Sequence, residues 1–221
     1  MQQTPLAHKL REELVQDCHE NSEMKIILMR HGRPQCCKEP RLSAAEFGHW
    51  IARYDAAALD PALAPPSTTR TLAQQCRYTV CSHLPRSTAS AQALGVRQID
   101  LQASDFREME LPHAPWSWPR LPAQVWTVIF RLRWLMGYSG GVESFSTARQ
   151  RACDAAKRLG ELAQRHETVL FVGHGSLNWF IARYLKQAGW RSCGKSPKRY
   201  WDHCVFTRDE CSRNSCPDGS G

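Results

Sequence analysis

The stretch that most constrains the fold runs from Met24 to Gly32, Met-Lys-Ile-Ile-Leu-Met-Arg-His-Gly. Its short apolar run is typical of a buried strand, and the run stops at an arginine, a histidine and a glycine. Open α/β sheets bind their ligands just beyond the carboxyl ends of their strands. We therefore expect Arg30 and His31 at a ligand site, where Gly32 lets the backbone turn and a ligand approach closely.

A second stretch repeats this design near the other end of the chain. The apolar run from Thr168 to Val172 is followed directly by Gly173-His174-Gly175. Between the two stretches, Tyr78 to Cys81 predicts another strand and Arg86 to Leu94 a helix, so Arg86 lies at a strand-to-helix junction. The pattern predicts that two histidines and two arginines share one edge of a sheet.

Capping residues and periodicity predict the other elements. Ser43 with Glu46 three residues later is typical of a capped helix, and Ser144 indicates the start of a long one. Further predicted elements are a short helix around Leu72, a third strand over Gln98–Leu101, a helix after Gly175 and a final edge strand from His203 to Arg208.

The length of 221 residues suits one α/β domain. We expect an N-terminal helical extension over residues 1–22, because Leu6, Leu10 and Leu14 repeat at a spacing of four. The main domain should cover residues 23–210. Residues 211–221 are polar and poor in apolar side chains, which favours a disordered tail.

Residues 112–140 predict a tryptophan-rich cap inserted into this domain. The segment combines four tryptophans and several prolines with an apolar helix. Two stripes of this helix are apolar, so we expect it to be sandwiched between core and cap; a membrane-surface helix would show a cleaner polar face. One stripe holds Val125, Val128, Ile129, Leu132 and Met136, and the other holds Trp126, Phe130 and Trp134.

The net charge and the cysteine pattern limit the kinds of ligand and of metal or disulfide site that the sequence predicts. The formal net charge of +8 is spread along the chain without a long Lys/Arg run, which favours a small phosphorylated ligand over nucleic acid. The ten cysteines include no Cys-x-x-Cys pair, so neither a zinc site nor a disulfide framework is predicted. Without a secretory signal or a span-length apolar run, we expect a cytoplasmic protein with no stable membrane insertion.

The residues at the predicted sheet edge suit phosphoryl transfer. His31 can attack phosphorus through a neutral ring nitrogen, and Arg30 and Arg86 can each bind phosphate oxygens bidentately. His174 can donate a further hydrogen bond to the developing negative charge. Two acids in the following segment, Glu108 and Glu110, are candidates for transferring a proton to the leaving oxygen.

Together these motifs resemble the histidine phosphatase family, whose founding fold is that of phosphoglycerate mutase. The resemblance covers about residues 24–208 and includes Gly141-Val142-Glu143-Ser144, which is similar to the family's Gly-Glu-Ser stretch. It implies a three-layer αβα fold with a mostly parallel central sheet, and no metal or cofactor. By the same resemblance His31 is the nucleophile, Arg30 and Arg86 bind the phosphate, His174 assists and Glu108 donates the proton.

The segment after Glu108 departs from the family's Gly-x-Trp-like pattern, which leaves Glu110 and His113 as rival proton donors. We expect a phosphomonoesterase of the histidine acid phosphatase type that acts through phospho-His31. A phosphoglycerate mutase-like phosphotransferase and a non-catalytic module that binds phosphorylated ligands remain as alternatives. Substrate identity and oligomeric state do not follow from the sequence.

Overall fold

The computed structural model describes residues 23–36, 41–194 and 197–209. The strands are β1 (Glu23–Arg30), β2 (Tyr78–Ser82), β3 (Leu101–Ala103), β4 (Thr168–Gly173), β5 (Arg191–Cys193) and β6 (His203–Asp209). The helices are α1 (Ala44–Ala56), α2 (Ser67–Gln74), α3 (Pro85–Ala93), α4 (Ala123–Leu135), α5 (Phe145–His166) and α6 (Gly175–Gln187). The helix predicted within residues 1–22 and the tail predicted over 211–221 lie outside the described residues.

The strands form a six-stranded sheet in the order β3-β2-β4-β1-β6-β5. β1 pairs in parallel with β4, and β2 pairs in parallel with both β3 and β4. β6 is antiparallel to β1 on one side and to β5 on the other. The sheet is therefore mostly parallel, as predicted, with β6 as its reversed strand.

Two strand predictions were wrong in detail. β6 is an inner strand, because the three-residue strand β5 pairs along its outer side. A strand this short has too little alternation to be recognised from sequence. β3 begins at Leu101 and not at Gln98. Just before it, the Asp100 amide donates to the Thr79 carbonyl at 2.9 Å, and the Asp100 carboxylate accepts from the Thr79 amide at 2.6 Å.

Helices cover both faces of the sheet and produce three layers. Alternate residues of β1 point to opposite faces, so that Ile26 and Leu28 join one core cluster and Ile27 and Met29 another. The first cluster packs against α5 and α6, and the second against α2 and α3. The predicted αβα architecture is thus confirmed.

The predicted helix caps are present. Ser43 accepts a hydrogen bond from the Glu46 amide, and the Glu46 side chain accepts one from the Ser43 amide, which completes a capping box at the start of α1. Ser144 accepts from the Thr147 amide and caps α5. Small residues such as Ala148 and Ala152 are fully buried, which lets this helix pack closely on the sheet.

The expectation that α4 is sandwiched between core and cap is wrong. Its Trp126 and Phe130 are buried in a third cluster with Phe47 of α1. The opposite stripe faces solvent, with Val128 58 % exposed and Leu132 55 % exposed. Sequence periodicity identified both apolar stripes but could not tell which one has a packing partner. Within the described ranges, none of the helices is both long and apolar enough to cross a bilayer.

Candidate active site

The two histidines meet because β1 and β4 are parallel neighbours that end at the same edge. Arg30, the last residue of β1, is in register with Gly173, the last residue of β4. The amide of His31 donates to the Gly173 carbonyl at 3.0 Å. The ring centroids of His31 and His174 lie 5.1 Å apart. Both motifs thus reach one point at the carboxyl edge of the sheet.

His31 is held in one orientation by its own loop. Its Nδ1 lies 2.6 Å from the carbonyl oxygen of Gly32. A carbonyl can only accept, so Nδ1 carries the proton and Nε2 keeps its lone pair. A Cβ on Gly32 would lie 2.2 Å from the Trp201 ring, so only glycine fits this turn. The Gly32 amide donates to Ser90 Oγ at 2.8 Å, which fixes the loop further.

The surroundings keep His31 neutral. Burial lowers the pKa of His31 to about 3, and the nearby charge of Arg86 acts in the same direction. Burial also lowers the pKa of His174 well below its ordinary value. Both imidazoles are therefore uncharged at neutral pH, which a nucleophilic ring nitrogen requires.

Arg86 is almost fully buried in the first turn of α3, beside His31. Its Nη1 donates to the Asp55 carboxylate at 2.9 Å, and its guanidinium lies 5.0 Å from the centre of the Tyr54 ring. The buried Nε has no hydrogen-bond partner within the part of the chain that the structure describes. Asp55 therefore holds one side of the guanidinium while a donor remains on another.

Arg30 is held in a similar way by the segment that precedes β6. Its guanidinium lies 4.6 Å from the centre of the Tyr200 ring and donates to the Lys198 carbonyl. A Cβ on Gly175 would come within 3.4 Å of this guanidinium, so glycine leaves room for it. The buried Nε of Arg30 also lacks a partner among the described residues.

His174 is fully buried, and its Nε2 lies 2.7 Å from Ser82 Oγ at the end of β2. Ser82 Oγ also accepts from the Leu84 amide at 3.3 Å. When the serine proton points to Nε2, that nitrogen accepts and the imidazole proton lies on Nδ1. In this tautomer Nδ1, which is buried without a partner in the described ranges, can donate to a bound anion.

Three carboxylates line the same cavity. Glu108 accepts hydrogen bonds from the amides of Ser176 and Leu177 at 3.3 and 3.0 Å, in the first turn of α6. The Glu110 carboxylate accepts hydrogen bonds from Arg107 at 3.3 Å and from the Glu143 amide at 2.8 Å. Glu110 is therefore tied into a structural network, whereas Glu108 lies next to the His174 turn.

Asp55 is the third carboxylate. Burial raises its pKa above the ordinary value for aspartate, although the charge of Arg86 acts in the opposite direction. A carboxyl with a raised pKa is a candidate for proton transfer. Asp55 therefore joins Glu108 as a possible proton donor, which sequence motifs did not indicate.

Two tyrosines, Tyr54 and Tyr200, contact each other near His31. The hydroxyls of Tyr54 and Tyr200 lie 3.4 Å apart, and the Tyr200 ring lies 5.7 Å from that of His31. His31 is only 2 % exposed.

The same two tyrosines line a cavity of about 1550 Å³. Arg30, Arg86 and Glu108 line it as well. Its described lining includes eight arginine or lysine side chains and three acidic ones. His83 and His113 also line it. The cavity is therefore predominantly basic and suits an anionic ligand.

The structure thus brings Arg30, His31, Arg86 and His174 together and puts Glu108 in the adjoining cavity. Sequence reasoning missed four residues of this site: Tyr54, Asp55, Ser82 and Tyr200. The buried carboxylate of Glu143, in the family-like Gly141–Ser144 stretch, accepts from Arg107 at 3.1 Å and from Arg151 Nε at 3.0 Å. Among the described residues, no cluster of three His, Cys, Asp or Glu side chains is arranged to hold a metal ion.

Comparison with known proteins decides the family. The sequence profile of the histidine phosphatase superfamily (branch 1) matches residues 52–212, which is more than half of the chain. The chain belongs to this superfamily. The matched range contains Arg86, Glu108 and His174 and begins after the Arg30-His31 motif. A search of curated proteins gave no significant match.

Solved structures agree with this histidine phosphatase fold. The open reading frame Rv3214 from Mycobacterium tuberculosis has a TM-score of 0.52 at 15% identity, covering 82% of this chain and 90% of that chain. The mycobacterial glucosyl-3-phosphoglycerate phosphatase Rv2419c, in complex with VO3, has a TM-score of 0.50 at 16% identity, covering 85% and 97%. At such identities the likeness supports the fold alone. The family and fold class predicted from sequence are confirmed.

Proposed function

We propose that this histidine phosphatase superfamily member is a phosphomonoesterase that hydrolyses a phosphorylated substrate through a phosphohistidine on His31. The observation that carries the proposal is the 2.6 Å contact between His31 Nδ1 and the Gly32 carbonyl. It leaves the neutral Nε2 with its lone pair beside the Arg86 guanidinium. Histidine, arginine and a second histidine supply the nucleophile and the charge stabilisation that phosphoryl transfer needs.

In the first step, Nε2 of His31 attacks phosphorus, so that an N–P bond forms and the P–O bond to the leaving group breaks. Arg30 and Arg86 balance the charge on the phosphoryl oxygens. His174 donates its Nδ1 proton as a hydrogen bond to one of them. Glu108 gives a proton to the leaving oxygen.

In the second step, water attacks phosphorus, the N–P bond breaks and inorganic phosphate leaves. Glu108 takes the proton of the water and is ready for another cycle. Glu108 is the proposed proton carrier because it matches the family's glutamate and lines the cavity next to the His174 turn. No cofactor takes part in either step.

The test is hydrolysis of p-nitrophenyl phosphate in the presence of a chelator. We expect turnover by the wild-type chain and a loss of about 10³-fold or more in His31→Ala. His49→Ala is the matched control, because His49 is an exposed histidine on α1. Acid-labile, alkali-stable labelling of His31 by a ³²P-substrate should accompany turnover.

The two alternatives predict different outcomes of the same test. Phosphate binding without turnover or labelling would support a non-catalytic module. Labelling of His31 followed by transfer to an added alcohol in preference to water would support a phosphotransferase. Unchanged turnover in His31→Ala would contradict the proposal in every form.

A further inference from the structure

The segment that carries Glu108 belongs to no strand or α-helix. It follows the short 3₁₀ helix Ser104–Phe106, and its residues 107–111 line the cavity. The backbone carbonyls of such a segment have no partner in a sheet or a helix, so that buried ones need another donor. The position of Glu108 therefore depends on the groups that bind these carbonyls.

Arg151 of α5 binds three carbonyls of this segment. Its Nη1 donates to the carbonyls of Asp105 and Arg107, both at 2.9 Å, and its Nη2 donates to the carbonyl of Glu108 at 3.5 Å. Its other donors go to the Glu143 carboxylate, with Nε 3.0 Å from one oxygen and Nη2 in contact with the other. A guanidinium has five N–H donors, and each donor of Arg151 thus has an acceptor.

Glu143 fixes the plane of the Arg151 guanidinium. Its carboxylate binds Arg151 through both oxygens, a bidentate geometry that sets orientation as well as position. The same carboxylate accepts from Arg107 at 3.1 Å and from the Glu110 amide at 3.4 Å. The side chains of Arg151 and Glu143 are only 10 % and 5 % exposed, so water competes little for these contacts. The pair is therefore a buried support behind the segment that carries Glu108.

The Glu108 side chain binds the start of α6. Its carboxylate accepts from the amides of Ser176 and Leu177, at 3.3 and 3.0 Å. These amides lie in the first turn of α6, where N–H groups have no partner inside the helix, and His174 directly precedes that helix. Keeping both contacts requires the Glu108 backbone to stay at a fixed distance from α6. Because α5 packs against α6, a side chain of α5 can set that distance.

Arg151 holds Glu108 without sharing its access to a substrate. Glu108 lines the cavity, whereas neither Arg151 nor Glu143 is among the lining residues in the part of the chain that the structure describes. Arg131 of α4 also binds this segment, at the Met109 carbonyl at 3.3 Å, but Arg131 itself lines the cavity. An effect of Arg151 on the reaction must therefore pass through the groups that it holds.

We propose that Arg151, oriented by Glu143, is a positioning residue that sets the place of Glu108 for proton transfer. The positioning itself stands on the contacts of Arg151, Glu143 and Glu108. Its consequence for catalysis rests on the proposed function, in which Glu108 gives a proton to the leaving oxygen. A displacement of about 1 Å at a reacting group can cost about 10²-fold in rate, even when the substitution lies away from the chemistry.

The catalytic consequence is tested with Arg151→Lys on an alkyl phosphate and on p-nitrophenyl phosphate. Lysine keeps a positive charge beside Glu143, but an ammonium group cannot bind a carboxylate and three carbonyls in one plane. We expect the loss of kcat on the alkyl phosphate to exceed the loss on p-nitrophenyl phosphate about tenfold or more, because only the alkoxide needs a proton. Arg158→Lys is the matched control, since Arg158 is on the same helix and contacts the same segment through the exposed Asp105 carboxylate, at 3.6 Å.

Two further variants separate positioning from a general loss of stability. In a Glu108→Gln background, Arg151→Lys should cause no further selective loss on the alkyl phosphate, because the group that Arg151 places can no longer give a proton. Glu143→Gln keeps the shape of the side chain but not its charge, so it holds Arg151 less firmly and should produce the same selectivity. Glu143→Gln also replaces Arg151→Lys if the latter does not fold.

The position of Glu108 is measured without turnover by hydrogen exchange of the Ser176 and Leu177 amides, followed by NMR. Both amides donate to Glu108 in the wild type. Displacement of Glu108 leaves these first-turn amides without an acceptor inside the helix, so Arg151→Lys should speed their exchange about tenfold or more. The amides of β4 are the internal reference, because a general loss of stability would speed their exchange as well. Arg158→Lys should leave both sets unchanged.

Each contrary result has its own meaning. Unchanged exchange of the Ser176 and Leu177 amides in Arg151→Lys overturns the positioning role. Equal losses on the two substrates show that Arg151 acts on the fold and overturn its action through Glu108. Absence of all turnover in the wild type refutes the proposed function, and the exchange rates still judge whether Arg151 positions Glu108.

Discussion

Ser82 and His174 are joined by a contact of 2.7 Å between the serine Oγ and the histidine Nε2, at the ends of neighbouring strands. When the serine hydroxyl donates in this contact, Nε2 of His174 accepts. Nδ1 then carries the proton that the proposed mechanism uses for a phosphoryl oxygen. We predict that Ser82 is a positioning residue that acts through His174.

We predict that Ser82→Ala lowers kcat for p-nitrophenyl phosphate about tenfold, the effect of one lost hydrogen bond. If Ser82 acts through His174, the double variant Ser82→Ala/His174→Ala should be no slower than His174→Ala alone. Steady-state kinetics of the four proteins measures this coupling. Additive losses would mean that Ser82 acts independently of His174.

The second prediction concerns the Arg86 guanidinium, which is held by Asp55. Arg86→Lys should lower kcat/KM about 10²-fold or more, because an ammonium group cannot bind Asp55 and a phosphoryl oxygen with a planar fork. Arg77→Lys is the control, since Arg77 forms an exposed ion pair with Glu167 at 2.7 Å. Near-wild-type activity in Arg86→Lys would rule out the bidentate role.

The third prediction concerns the tyrosine pair over His31. Diethyl pyrocarbonate should modify His31 slowly in the wild type, because its ring is buried beneath Tyr200. Tyr200→Ala should speed this modification about tenfold or more, whereas Tyr200→Phe keeps the ring and should change it little. Mass spectrometry measures the labelling, with the exposed His49 as internal reference. Equal rates in the two Tyr200 variants would mean that the ring does not cover His31.

Sequence reasoning identified the site residues that are marked by a short local motif. The β1 and β4 runs each end in their own histidine, and Arg86 opens a helix directly after β2, so strand order and a parallel sheet were enough to bring them together. Tyr54 and Tyr200 meet across 146 positions of sequence. No periodic pattern in the sequence marks such a pair. The same holds for the ion pair between Asp55 and Arg86.

The same reasoning failed where it needed to know what covers a surface. Both stripes of α4 are apolar, and only the packing of Trp126 and Phe130 against α1 shows which one is buried. β6 was expected at an edge because β5, with three residues, leaves no pattern in the sequence. Burial and strand pairing are therefore the parts of the fold that local sequence does not determine.

The fourth prediction concerns pH. His31 has a pKa of about 3 in the folded chain, against about 6.5 in an unfolded one. Between these values the unfolded chain binds a proton that the folded chain does not, so the free energy of unfolding falls as the pH falls from about 6.5 towards 3. For His31 alone, acidification from about pH 7 to about pH 5 should cost about 2 kcal/mol.

Urea denaturation at the two pH values measures this loss. His31→Gln should lose about 2 kcal/mol less on acidification than the wild type, because the titrating group is absent. His49→Gln, at an exposed position on α1, should behave like the wild type. The same pH dependence in all three proteins would mean that His31 is not buried as a neutral ring.

The last prediction assigns the proton donor. A general acid matters in proportion to how much the leaving group needs a proton. Glu108→Gln should therefore slow hydrolysis of an alkyl phosphate about 10²–10⁴-fold and spare p-nitrophenyl phosphate, whose phenolate leaves unaided. The measurement is kcat/KM on both substrates for Gln or Asn variants of the three carboxylates that line the cavity.

Glu110→Gln should slow both substrates equally if at all, because Glu110 is held by Arg107 and the Glu143 amide and acts on structure. Asp55→Asn is the more informative comparison, since burial raises the pKa of Asp55 but its partner is Arg86, the proposed phosphate ligand. A positioning role predicts equal losses on both substrates for Asp55→Asn. The selective loss appearing in Asp55→Asn instead would transfer the proton-donor assignment from Glu108 to Asp55, and its absence from all three would point to His113 or water.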